Sequence, residues 1–173
     1  MSRRLPYSGR YTVQLDSKHR VILPSTLRKL AEQEDPAGDF FLTTWTSGCL
    51  HLYTATGFQA RLDIMRDNID AIDDDAEYDE AQLAYERFLH SSTSLKINEQ
   101  GRLLIPADLV ESAELEQNQP VHVVGNDDVI EIWSPGRYDA RYGPKDTDAA
   151  DRALRRINRR PRKRGRDTAE AGD

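Results

Sequence analysis

The chain carries one pattern twice. Val13 to Leu27, V-Q-L-D-S-K-H-R-V-I-L-P-S-T-L, aligns at an offset of 82 residues with Leu95 to Leu109, L-K-I-N-E-Q-G-R-L-L-I-P-A-D-L. The arginine, the proline and the last leucine coincide, and apolar positions match throughout. A second block, Cys49-Leu50-His51-Leu52-Tyr53-Thr54, aligns at an offset of 80 with Val129-Ile130-Glu131-Ile132-Trp133-Ser134. Two blocks in the same order, with nearly the same separation, describe a duplicated unit. The fold is thereby confined to an arrangement of two like halves.

Each half predicts the same elements. A strand of alternating apolar and polar residues (Tyr11, Val13, Leu15; Leu95, Ile97) meets a tight turn and a short apolar strand (Val21–Leu23; Leu103–Ile105). Pro24 and Pro106 then suit the entrance of short helices over Ser25–Glu32 and Ala107–Leu115. Two further strands close each half, Phe40–Trp45 with Leu50–Tyr53, and Val121–Gly125 with Val129–Trp133. Between the halves, Gly57–Arg66 and Tyr78–His90 read as helices around an acidic link, with Ala81, Tyr85, Phe88 and Leu89 on one face of the second. The expected organisation is therefore a first half over 1–54, a helical acidic connector over 55–92, a second half over 93–143 and a disordered basic tail over 144–173. The expected class is mainly β with short helices, α+β-like.

The turns can be read in more detail. Gly101 stands where a tight turn needs positive φ, which glycine adopts freely, and His19 holds the same place in the first half. Asp16 and Asn98 open the two turns, where a side-chain oxygen accepts from backbone N–H two residues on. Arg20 and Arg102 leave the turns, and an aspartate four residues back can brace an arginine by a charge-assisted bond.

Charge is distributed unevenly about a net of −6. Residues 1–30 hold seven Lys/Arg and one acid, residues 61–86 two Arg and ten acids, and residues 152–166 nine Lys/Arg and no acid. An acidic protein with two basic ends is suited to a polyanion at those ends. A single cysteine, Cys49, excludes an internal disulfide framework and a four-cysteine zinc site, and it is expected to be an inert core thiol. No apolar run approaches the roughly 18 residues of a membrane span, and the N-terminus has no apolar signal region. A cytoplasmic protein is expected. His19, His51, His90 and His122 show no metal-ligand spacing. The run Asp73-Asp74-Asp75 with Glu77 and Asp79 lacks the EF-hand order and reads as a solvated linker. Phosphate-loop, dinucleotide, nucleophile-elbow and zinc-protease motifs are absent from the sequence. Neither a cofactor, a metal nor catalysis is expected.

The L-D-x-K-x-R-x-x-x-P pattern at Leu15–Pro24, its second copy ending G-R-L-L-I-P, and the later strand I-E-I-W together resemble the MraZ family of bacterial transcriptional regulators, which are built from two SpoVT/AbrB-type halves. The resemblance runs from residue 8 to about 142. It implies two swapped-hairpin β-barrel halves packed in one chain, and subunits associating into a closed homo-oligomeric ring. It also implies that the turn arginine reads repeated promoter boxes of the division and cell-wall gene cluster, so the partner is double-stranded DNA and the protein is nucleoid-associated. Carried over, the motif falls on Asp16, Lys18 and Arg20, with His19 where the family has glycine. In the second half it falls on Arg102, with Asn98 in place of aspartate. Lys18, Arg10, Arg3 and Arg4 are candidate phosphate partners.

On the residues alone, two roles suit Arg20: closing the turn on Asp16, or offering its guanidinium to a guanine edge in the major groove. Arg102 sits in a stretch, 95–133, with two bases and eight acids, which repels phosphate and favours a structural role. The alternative function is an oligomeric protein-binding scaffold of the same fold, without sequence-specific DNA binding.

Overall fold

The computed structural model describes residues 5–143 and 147–158. Two compact units divide between Arg141 and Tyr142. The first is mixed α+β. Its elements run β1 (Arg10–Gln14), β2 (Arg20–Ile22), α1 (Ser25–Glu34), β3 (Asp39–Thr44), β4 (Leu50–Thr54), α2 (Ala55–Asp70), α3 (Asp75–His90), β5 (Thr93–Lys96), β6 (Arg102–Leu104), α4 (Ala107–Ser112), β7 (Pro120–Asn126), β8 (Val129–Trp133) and α5 (Pro135–Tyr142).

Strands from the two halves of the sequence interleave. A six-stranded antiparallel sheet has the order β1-β7-β8-β4-β3-β5, and β2 pairs with β6 in a separate ribbon. The first strand of each half thus leaves its own half: β1 pairs with β7, Val13 opposite Val121, and β5 pairs with β3, Leu95 opposite Phe40. Read from either end, the sheet order exchanges each strand for its repeat, so a local two-fold axis runs between β4 and β8. His51 and Glu131, which occupy the same repeat position, face each other across it. The hairpins are exchanged within one chain, as the resemblance implies.

Alternation explains which faces are buried. Leu15, Val21, Leu23, Leu27, Leu42 and Leu50 join Leu103, Ile105, Leu109, Val121 and Ile132 in one core shared by both halves. The helices of the connector cover a second cluster in which Phe58 stacks on Phe41 at 4.3 Å and on Phe88 at 5.7 Å. Local chemistry sets the helix starts. Pro24 and Pro106 precede α1 and α4, Thr54 Oγ1 accepts from the Gly57 N–H at 3.0 Å, and Asp74 Oδ1 accepts from the Glu77 N–H at 2.9 Å. The aspartate run therefore begins α3 as well as linking it.

The basic tail was expected to be disordered. Its described part instead forms α6 (Thr147–Ile157), where Ala149, Ala150, Ala153 and Leu154 favour helix, Asp148 lies in the first turn and Arg155 and Arg156 lie in the last. Residues 144–146 and 159–173 lie outside the described residues, as do Arg3 and Arg4.

Candidate nucleic-acid interface

The two turns are built on one plan and differ in one bond. Asp16 Oδ1 accepts from the backbone N–H of Lys18 at 2.8 Å and of Arg20 at 2.9 Å. Asn98 Oδ1 does the same for Gln100 at 3.1 Å and Arg102 at 2.8 Å. Backbone bonds His19 N–H to Asp16 C=O (3.0 Å) and Gly101 N–H to Asn98 C=O (2.8 Å) close the turns. His19 and Gly101 take φ of 58° and 77°. Asp16 has a second oxygen, and Oδ2 accepts from Arg20 Nε at 2.8 Å. Asn98 lacks that anionic oxygen, so Arg102 turns to Gln100, with Nη1 donating to Oε1 at 2.7 Å.

Electrostatics follow from these contacts. The Arg20 backbone N–H does most to hold the Asp16 carboxyl below its ordinary value of 3.8, against desolvation, and the Lys18 N–H and the Arg20 guanidinium add to it. Asp16 is therefore ionised throughout the neutral range. Nε is committed to Asp16, and among the described residues no acceptor takes either Nη group of Arg20, so both can serve an outside acceptor.

The ribbon brings the two arginines together. Arg20 lies opposite Leu104, and Ile22 lies opposite Arg102. Val21 and Leu103 point inward and are buried, while Ile22 and Leu104 are more than half exposed. Burying those two inward side chains is worth about 1.5–3 kcal/mol each. A one-residue slip would expose them and bury both arginines, so the core fixes which side chains the ribbon presents. Arg20 and Arg102 stand at diagonal corners of one outward face, with Cα atoms about 8 Å apart from strand spacing and rise. The turns also brace each other's strands: the Ile105 N–H donates to the His19 C=O and the Leu23 N–H to the Gly101 C=O, both at 2.9 Å.

Other candidates are placed differently. Lys18 is exposed on the turn itself, and His19 is half-buried with its ring against the Gln117 amide. Arg10 lies six residues before Asp16, about 20 Å along the strand direction. Its guanidinium sits over the Tyr138 ring at 5.3 Å. One basic residue escaped the sequence reading. Arg28 of α1 covers the buried Gly101, where an added Cβ would collide with its guanidinium, so the first half supplies a cation to the second turn. No spacing in the sequence signals this; it requires the exchanged hairpins.

A second constellation also went unseen. His51, expected to have no metal-ligand partner, lies with Cys49 and Glu131 in a buried group whose ligand atoms are within 4.8 Å of one another. Burial pushes the Cys49 thiol up to about 11 and the Tyr53 hydroxyl up to about 12. Burial alone would raise Glu131 as well, but His51, Asn126 and Trp133 together hold its carboxyl below the ordinary 4.5.

Hairpins exchanged inside a single chain, with paired arginine-bearing turns on one ribbon, define a duplicated protein of the AbrB-like swapped-hairpin class. A family model described as "MraZ protein, putative antitoxin-like" matches residues 88–159. The transcriptional regulator MraZ of Cytophaga hutchinsonii is 31% identical over 133 residues, covering 76% of this chain and 82% of that protein. The namesake from Clostridium acetobutylicum is 29% identical over 133 residues, covering 76% and 84%. That of Acetivibrio thermocellus is 28% identical over 145 residues, covering 83% and 91%. The chain belongs to the MraZ family.

Proposed function

We propose that this chain is a sequence-specific, double-stranded DNA-binding transcriptional regulator that acts by binding rather than catalysis. The observation that carries the reading is the ribbon face: two arginines on one side of a two-stranded antiparallel ribbon, one of them held in a set orientation by Asp16. The major groove is about 12 Å wide and admits such a ribbon. An arginine with both Nη groups open can bond guanine O6 and N7 together, and Ile22 and Leu104 can meet thymine methyls. Lys18 beside the turn suits a phosphate. The regulators named above support the same reading.

The finer reading is that Arg20 leads and Arg102 assists, within repeated boxes upstream of the division and cell-wall gene cluster. Residues 1–54 and 93–143 serve as paired halves joined by 55–92, and the basic residues of 144–173 form a sequence-blind arm. Two unlike faces in one chain favour head-to-tail association into a ring. Such a ring would present several reading turns to direct repeats about one helical turn apart, in the cytoplasm at the nucleoid.

One observation favours the scaffold reading: Ile22 and Leu104 are 52% and 58% exposed beside the arginines, as in a protein-docking patch. A mobility shift on the DNA upstream of the gene separates the two. Retention that survives excess unrelated DNA and yields to unlabelled upstream DNA is the expected result. Equal competition by both would refute sequence-specific binding.

A further inference from the structure

Across the sheet's local two-fold axis lies a polar cluster that the ribbon does not use. Cys49, His51 and Glu131 are 1%, 5% and 4% exposed. Among them His51 Nε2 is the deciding atom. Among the described residues it has no hydrogen-bond partner, on a side chain 7% exposed, and it faces Glu131 Oε1 at 3.5 Å. A hydrogen bond there would close to about 2.9 Å. Two ligands of a tetrahedral zinc ion, with bonds of about 2.0–2.2 Å to nitrogen and oxygen, stand about 3.3–3.6 Å apart. The separation fits a shared ion better than a shared proton.

The surroundings are those of a ligand set held from outside. Glu131 Oε1 accepts from Asn126 Nδ2 and Oε2 from Trp133 Nε1, both at 2.8 Å, which fixes the carboxylate and leaves lone pairs open. His51 Nδ1 lies 3.0 Å from Tyr53 Oη. With Nδ1–H donating to that oxygen, Nε2 carries the lone pair, the outer bond that metal-bound histidines make. Trp45 stacks on the imidazole at 4.5 Å and prevents it from swinging away. Strands β4 and β8 hold His51 and Glu131 in register.

We propose that Cys49, His51 and Glu131 form a zinc site, with the fourth position open, that ties the two halves together where β4 meets β8. Sulfur and imidazole donors select zinc over magnesium or calcium. Binding replaces the thiol proton by the metal and releases that proton to solvent, so atoms and charge balance.

The test uses the untagged full chain, equilibrated with zinc, dialysed and subjected to elemental analysis. One zinc per chain is expected for the wild type, falling to none in Cys49→Ser and in Glu131→Gln, with circular dichroism reporting the fold. Because Cys49 is the sole cysteine, cobalt in place of zinc must show thiolate-to-cobalt charge transfer in the wild type. That readout stands even if a variant fails to fold. A folded wild type that retains no zinc, a cobalt spectrum without the thiolate band, or full zinc in Cys49→Ser would each overturn the proposal. In those cases His51 and Glu131 are a buried polar pair 3.5 Å apart and nothing more.

Discussion

Removing the Arg20 side chain should cost more DNA affinity than removing any other single side chain of the ribbon. Its Nε–H is held by Asp16 at 2.8 Å, which leaves the two Nη groups for one bidentate bond pair to guanine. Losing one such pair costs about 1–3 kcal/mol, a factor of roughly 5–150 for each engaged turn. Two turns of one oligomer on the same promoter would square that factor. Arg102 already gives Nη1 to Gln100 and lies among the acids of residues 95–133, so Arg102→Ala should lose less. The fold should survive both changes. Arg20 is 35% exposed on its side chain, and Asp16 keeps its backbone bonds without it. Fluorescence anisotropy on a labelled upstream fragment at fixed salt, with a thermal melt of each protein, measures both quantities. Equal affinity losses in two folded variants, or an unaffected Arg20→Ala, would refute the reasoning.

Asp16→Asn gives the first turn the opening residue of the second, with Lys18 where the second turn has Gln100: the backbone bonds persist and the guanidinium is released. Discrimination between upstream and unrelated DNA should fall several-fold with an unchanged melt, and unchanged discrimination would contradict the bracing role. Gly101→Ala forces a side chain to φ of 77° under Arg28 and should destabilise by about 1–2 kcal/mol in urea titration; a midpoint within error of wild type would refute that. Glu131 is held below 4.5 in the folded chain, so its contribution is complete above that value and is lost as pH falls through the lower folded one. Urea midpoints of Glu131→Gln should thus fall less steeply in acid than those of wild type, and equal slopes would count against it. Truncation after Pro144 should make promoter affinity less salt-dependent, with the log–log slope shallower by about 0.9 for each phosphate the arm would have neutralised and base preference intact; an untouched slope would remove the arm from the account.

Much of this fold is legible in the residues because local rules and the repeat agree. Alternation at Tyr11, Val13 and Leu15 marks β1, and the prolines at 24 and 106 mark the starts of α1 and α4 within a residue. The turn chemistry of Asp16, His19, Asn98 and Gly101 is local and appears as expected. What the sequence hides is pairing. Nothing local tells Val13 to face Val121 rather than a strand of its own half, since both choices bury the same side chain. Arg28 over Gly101 and Cys49 beside Glu131 depend on that exchange and are hidden with it. His51 and Glu131 share a repeat position, which becomes a contact only once β4 is known to pair with β8. Helix α5 carries little signal in the sequence because its residues, P-G-R-Y-D-A-R-Y, place a glycine in the first turn and bury no side chain.

The central claim is that Arg20 reads guanine in the major groove from the β2–β6 ribbon, and methylation interference addresses that atom directly. Guanine N7 is the acceptor that methylation removes. Upstream DNA methylated sparsely at guanine N7 should drop out of the wild-type complex when the modified base lies in a repeat. The residual complex of Arg20→Ala should be indifferent to the same modifications. A wild-type complex that tolerates N7 methylation throughout, or an Arg20→Ala complex with the same interference pattern, would contradict the account.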